Sequence, residues 1–178
     1  ILCQAALLPC YSTLADERNF SAPVTSLFQG VLFVNIGVYV FARLFVLQTG
    51  LPLWWQAAVP ILAAIFSLLA AGAALAAQDM NQVLSYSTLS QLSFIFFGLS
   101  CGSAMGIAGA IWYISIYGLA NGGMFLCAGI VEKATGTRDL NRLGGLGRTM
   151  PVTAFVFFVC AFSIMGLPPF GGFWAQYM

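Results

Sequence analysis

Tyr113, Tyr117 and Asn121 recur at four-residue intervals inside WYISIYGLANGGMFLCAG, residues 112–129, a stretch without a single charge. That spacing keeps the three side chains on one face of a helix. Phenols and a carboxamide on one face can line a path for water or ions. They can equally hydrogen-bond a neighbouring helix, a contact worth roughly 0.6–2 kcal/mol in membranes. Gly118, Gly122 and Gly123 let helices approach closely and also permit a local break or π-bulge. Both readings stand on these residues alone.

Other polar residues raise the same choice. Gln29 and Asn35 are six apart, so a regular helix places them on different faces. A buried amide must find partners in either case. SYSTLSQ, residues 85–91, offers Ser85, Ser87, Thr88 and Ser90, which reads as a packing face because helical hydroxyls satisfy the i−4 carbonyl. Arg138 and Asp139 are expected to form a local ion pair or a partner-facing patch.

The elements that position these residues follow from composition. The 178 residues are 61% hydrophobic and 6% charged, against about 25% charged in soluble domains. Residues 44–78 and 80–131 hold no Asp, Glu, Lys or Arg. About 20 apolar residues cross the hydrocarbon, so both intervals are long enough to span it. The chain therefore reads as an all-α, polytopic integral membrane helix bundle. Five spans are expected, over residues 23–47, 54–78, 82–101, 106–132 and 150–167, with partial segments at the ends and one long polar loop at 133–149. Pro60 is expected to kink the second span. Asp79 and Thr149 are candidate caps, and Pro151 suits a first turn. GLPPFGGF, residues 166–173, breaks the last helix. Both chain ends look cut from a longer polypeptide.

Arg18, Lys133, Arg138, Arg142 and Arg148 fall on one side of this arrangement and Arg43 alone on the other. The positive-inside rule puts loop 133–149 on the cytoplasmic, matrix or stromal side. A net charge of +1 without a basic stripe speaks against nucleic-acid binding. There is no histidine, and Cys3, Cys10, Cys101, Cys127 and Cys160 form no CxxC pair. Inside spans such cysteines act as small apolar residues. With no catalytic triad, metal motif or phosphate-binding loop, we expect no catalytic chemistry, metal or cofactor on this chain.

Three longer stretches carry a family resemblance: QDMNQVLSYSTLSQLSF at 78–94, FLCAGIVEKATGTRDLNRLGGLGRTMPVTA at 125–154 and GLPPFGGFW at 166–174, with SAPVTSLFQGVLFVNIGVYVFARL at 21–44 fitting upstream. Together they resemble the antiporter-like membrane subunits of respiratory complex I, the group 4 membrane-bound hydrogenases and the multisubunit Na+/H+ antiporters. The resemblance implies a bundle of about fourteen helices in two inverted repeats, this chain being mainly the second. It also implies a mid-membrane row of lysines, histidines and a glutamate that passes protons, as ionisable groups at that depth are functional by default.

Carried onto this sequence, the row meets other residue types. The first lysine position falls at about Cys3. The histidine and lysine positions of the 23–47 span are Gln29 and Asn35, and the His–His–Lys ladder of the 106–132 span is Tyr113, Tyr117 and Asn121. The position near the final break is Gln176. Asn and Gln carry no titratable proton, and a free tyrosine ionises near pH 10. The resemblance thus implies a module without its proton row, more scaffold than pump. Implied partners are other membrane-arm subunits of one complex, lipid, and a soluble redox or zinc-containing arm elsewhere. Membership of an ion or inorganic-carbon transport complex is the alternative. A lone transporter with an Asn/Gln/Tyr site for a neutral substrate ranks third.

Overall fold

Capping residues and glycines, more than amphipathic periodicity, set the helix ends. The computed structural model describes residues 38–40, 42, 43 and 53–177. Cys3, Gln29 and Asn35 lie outside the described residues, as does most of the expected 23–47 span. Helix α1 is Leu53–Ala76 and runs unbroken through Pro60. Helix α2 is Met80–Ser100, and the Asn81 N–H donates to Asp79 Oδ1 at its start. Helix α3 is Ala104–Thr135, started by Gly106 N–H donating to Ser103 Oγ. At ~1.5 Å per residue α3 is about 48 Å long, so it outruns the ~30 Å hydrocarbon layer.

Gly136 stops α3. Its φ of 70° is left-handed and its N–H donates to Glu132 O, the usual helix-ending arrangement. A Cβ at Gly136 would meet nothing within 4 Å, so alanine there adds only backbone strain. We expect Gly136→Ala to lower stability by about 1–2 kcal/mol. Gly144→Ala, with equal space and no such φ, should leave the thermal midpoint in detergent nearly unchanged.

The polar loop folds back on the bundle. Met80 N–H donates to Arg138 O and Leu140 N–H to Gln78 O, both at 3.0 Å. A 3-10 turn, Leu140–Arg142, is capped by Asp139 Oδ1 accepting from Asn141 N–H. Arg138 pairs with Glu132 at 2.6 Å and Arg142 with Asp139 at 3.5 Å. The expected Arg138–Asp139 pair is therefore not formed. Asp139 has extended backbone angles, which send neighbouring side chains to opposite sides, and its carboxylate is engaged as a cap.

Helix α4 is the short Leu146–Thr149, helix α5 is Pro151–Ile164 and helix α6 is Gly171–Tyr177. Pro151 takes the first turn of α5. Thr149 does not cap it: its hydroxyl donates to Leu146 O, and Met150 holds the cap position. The 14 residues of α5 reach about 21 Å at ~1.5 Å each, short of a full crossing. The expected 150–167 span thus ends early, because Gly166, with a φ of 70°, and the following prolines cannot continue it.

Helix α3 packs against α2, α5 and α6, while α1 lies along α2. Ser67 and Ser90 tie α1 to α2, each hydroxyl donating to the other's carbonyl at 3.1–3.2 Å. Ser85, Thr88 and Ser93 bond the carbonyls four residues back, as a packing face requires. Val38 and Ala42 join Leu92, Ile95, Leu99 and Phe125 in the core. The outer face of α1 exposes Ile61, Leu62, Ile65, Leu68 and Leu69. In water that strip would forfeit its transfer free energy; against lipid it forfeits nothing. Helices α2 and α3 and the stretch Ala58–Ala76 of α1 are long and apolar enough to cross a membrane.

Candidate functional site

The α3 face carrying Tyr113, Tyr117 and Asn121 points inward, and all three side chains are buried. Tyr113 Oη donates to Gln91 Oε1 at 2.9 Å and lies 3.3 Å from Ile164 O. Gln176 Nε2 donates to Tyr113 Oη at 2.9 Å and to Ile164 O at 3.1 Å. Four elements meet here: α2, α3, the end of α5 and α6. The reason is backbone arithmetic. Where α5 stops, the carbonyls of Ala161, Phe162 and Ser163 accept from the N–H groups of Met165, Leu167 and Gly166, and the Ile164 carbonyl is left to side-chain donors. In lipid an unsatisfied carbonyl is costly, and Tyr113 and Gln176 supply donors.

One turn further along α3, Tyr117 stacks obliquely on Tyr113, ring centroids 5.9 Å apart. Its hydroxyl is buried without a hydrogen-bond partner among the described residues. The Thr88 hydroxyl beside it donates to Leu84 O at 2.8 Å and keeps acceptor lone pairs toward α3. A turn beyond, Asn121 Nδ2 donates to Thr88 Oγ1 at 3.2 Å, joining α3 to α2. Among the described residues, the hydrogen bonds at Tyr113 and at Asn121 form two groups, with the Tyr117 phenol between them.

A cavity of ≈ 280 Å³ has Tyr113, Gln176, Cys101, Ser103 and Gly106 in its wall. It runs between the α2–α3 turn and the Tyr113–Gln176 pair. Tyr113 and Gln176 border this cavity and Asn121 is not among its lining residues. Among the described residues no cluster of His, Cys, Asp or Glu could hold a metal ion. The side chains that meet here hydrogen-bond; none is a carboxylate, imidazole or amine.

The structure brings Tyr113 and Gln176 into direct contact and places Tyr117 and Asn121 on the same face. Sequence reasoning did not single out Gln91, although a lone carboxamide in an apolar span is itself a signal. The Ile164 carbonyl was not foreseeable, because only the early end of α5 leaves it unpaired.

The model of the family described as "NADH:quinone oxidoreductase/Mrp antiporter, TM" matches residues 3–178. The chain belongs to this family. It is 33% identical to one of the Na(+)/H(+) antiporter subunits of Alkalihalophilus pseudofirmus, over 98% of this chain and 36% of that protein. It is 30% identical to formate hydrogenlyase subunit 3 of Escherichia coli, over 98% of this chain and 30% of that protein. Among solved structures, a chain of respiratory complex I from Thermus thermophilus with bound NADH superposes with a TM-score of 0.88 at 27% identity, covering 99% of this chain and 38% of that one. The chain thus spans about a third of the length of these relatives. The family resemblance read from the TGTRD and LGGLG loop and the flanking motifs holds, and so does the all-α membrane bundle. The two curated relatives are each named as a subunit.

Proposed function

We propose that this chain is a membrane-arm subunit of an energy-converting complex of the NADH dehydrogenase or membrane-bound hydrogenase type, in which the described portion is a non-pumping scaffold. The observation that carries this reading is the Tyr113–Gln176–Ile164 junction. At three of the positions where the family resemblance implies proton carriers, Tyr113, Asn121 and Gln176, the side chains hydrogen-bond one helix to another. Cys3, Gln29 and Asn35 extend the same substitution pattern by residue type alone. The chain carries no cofactor of its own in this reading. Loop 133–149 faces the cytoplasm, matrix or stroma, and redox chemistry belongs to a soluble arm elsewhere in the complex.

Asn121→Ala in the full chain tests this. The variant breaks the hydrogen bond to Thr88. We expect less assembled complex in the membrane and an unchanged proton flux per assembled complex. Normal assembly with abolished proton movement would refute the scaffold role.

The similarity to the Na(+)/H(+) antiporter protein of Alkalihalophilus pseudofirmus favours a second reading, membership of an ion or inorganic-carbon transport complex. Co-purification separates the two. A quinone-reducing or iron–sulfur arm supports the first, and a soluble zinc protein or Na+-dependent pH change in vesicles supports the second.

A further inference from the structure

Cys127 on α3 is buried, Cys160 on α5 is half-buried, and both are free thiols. They form no pair in sequence, yet folding brings them together. A Cβ at Gly123 would fall 2.8 Å from Cys160 Sγ, so the Cys160 sulfur occupies space that Gly123 leaves open. Gly123 and Cys127 are one turn apart on α3, a spacing that puts Cβ positions about 5–6 Å apart. The two helices run antiparallel: Tyr113 meets Ile164, and Gly123, further along α3, meets the earlier Cys160. Helical side chains lean toward their own N-terminus. Cys127 therefore leans back toward Gly123, while Cys160 leans toward Cys127. The pair is close enough for charge on one sulfur to be felt by the other.

We propose that Cys127 and Cys160 bind one soft monovalent metal ion, Cu+, as a two-coordinate bridge between α3 and α5. Sulfur ligands select such an ion, whereas Zn2+ takes four ligands. Among the described residues no group of three or more His, Cys, Asp or Glu could supply them. Two metal–sulfur bonds of roughly 2.3 Å each, the length of a Zn–S bond, suit sulfurs from neighbouring turns. A disulfide needs Cβ atoms ~3.8 Å apart. Charge sets the protonation. Residues 80–131 and Pro151–Ile164 hold no Asp, Glu, Lys or Arg, so nothing beside the pair offsets a buried net charge. One thiolate neutralises the monovalent ion, and the other sulfur coordinates as a thiol. Binding thus forms two metal–sulfur bonds and releases one proton, with no electron transferred. Cys127 also lines a cavity of ≈ 500 Å³ at the loop end of the bundle, as do Met80 and Met150. Their thioethers are soft, weak ligands along this entry route. The ion clips the α3–α5 packing and takes part in no reaction.

The test titrates Ag+, a monovalent soft ion that changes no oxidation state, into the full chain in detergent and chloride-free buffer. The parent carries Cys3→Ser, Cys10→Ser and Cys101→Ser, which removes the other thiols. One equivalent should bind and release about one proton. Cys127→Ala and Cys160→Ala should each weaken binding about 100-fold, because the second bond is no longer intramolecular. Cys127→Ser and Cys160→Ser keep the side-chain size and offer only a hard oxygen, so they should bind as weakly as the alanine variants. The metal-free thermal midpoints of the serine variants report that the fold is kept. Loaded anaerobically with Cu+, the parent should show two sulfur neighbours in its copper K-edge absorption spectrum, and excess Zn2+ should not displace Ag+. Binding by either serine variant as tight as the parent's overturns the proposal. So does a copper spectrum with one sulfur neighbour or with more than two, or displacement of Ag+ by Zn2+.

Discussion

Gly172→Ala should all but abolish the folded chain, whereas Gly171→Ala, one residue earlier on the same helix, should be tolerated. A Cβ at Gly172 would fall on the Ser163 carbonyl oxygen, with the carbonyl carbon at 3.0 Å. Both sides of that contact are backbone, so no rotamer change relieves it. A Cβ at Gly171 meets the tip of Ile116, Cδ1 at 3.2 Å, and that side chain can yield. Helix propensity favours alanine over glycine by about 1 kcal/mol at each position, so the intrinsic term works against the expected loss. Overpacking usually destabilises by about 1–3 kcal/mol, more where the backbone must move. We therefore expect Gly172→Ala to lose more than about 3 kcal/mol, read as lost accumulation in the membrane and a collapsed midpoint in detergent. Moving α6 outward would also pull Gln176 from Tyr113 and Ile164, which links the packing to the polar junction. Equal midpoints for the two alanine variants would show that α5 and α6 do not approach as described.

Tyr113→Phe and Tyr117→Phe remove the same atom from neighbouring turns of one helix, and their effects should differ in size. The Tyr113 hydroxyl bonds Gln91 and Gln176. Its loss strands a buried carboxamide oxygen on one and a donor on the other. Summed membrane hydrogen-bond values give a loss of about 1–3 kcal/mol. The Tyr117 hydroxyl has no partner among the described residues. Its removal breaks no hydrogen bond among the described residues, so phenylalanine should cost less than about 1 kcal/mol. Thermal melts of the two variants in one detergent check this. A larger loss at Tyr117 than at Tyr113 would mean that its phenol is bonded after all and that the two polar groups are continuous.

Different physical signals made different parts of this protein legible. The charge-free runs at 44–78 and 80–131 revealed membrane crossing because charges are expensive in hydrocarbon. Asp79 and Pro151 marked helix starts correctly because capping is local and depends on one or two residues. Thr149 misled because the adjacent α4 already used its hydroxyl. Arg138 and Asp139 misled because adjacency in sequence is not adjacency in space; the arginine reaches back to Glu132 instead.

Class, family and the chemical character of the α3 face could be read from the residues alone. They depend on residue type and on fixed helical spacing, and neither changes with packing. Residue type also gives Tyr113, Tyr117 and Asn121 groups that can hydrogen-bond, and neither a free phenol nor a carboxamide ionises near neutral pH. Their partners were set by the packing of the bundle. Tyr113 meets Gln176, 63 positions away, because α5 ends early and α6 returns against it. Asn121 meets Thr88, 33 positions away, because α2 and α3 pack side by side. Tyr117 between them meets no partner among the described residues. Spacing along one helix sets a face, but the approach of other helices over that face sets its hydrogen bonds, and long-range approach is not encoded in any short stretch of residues.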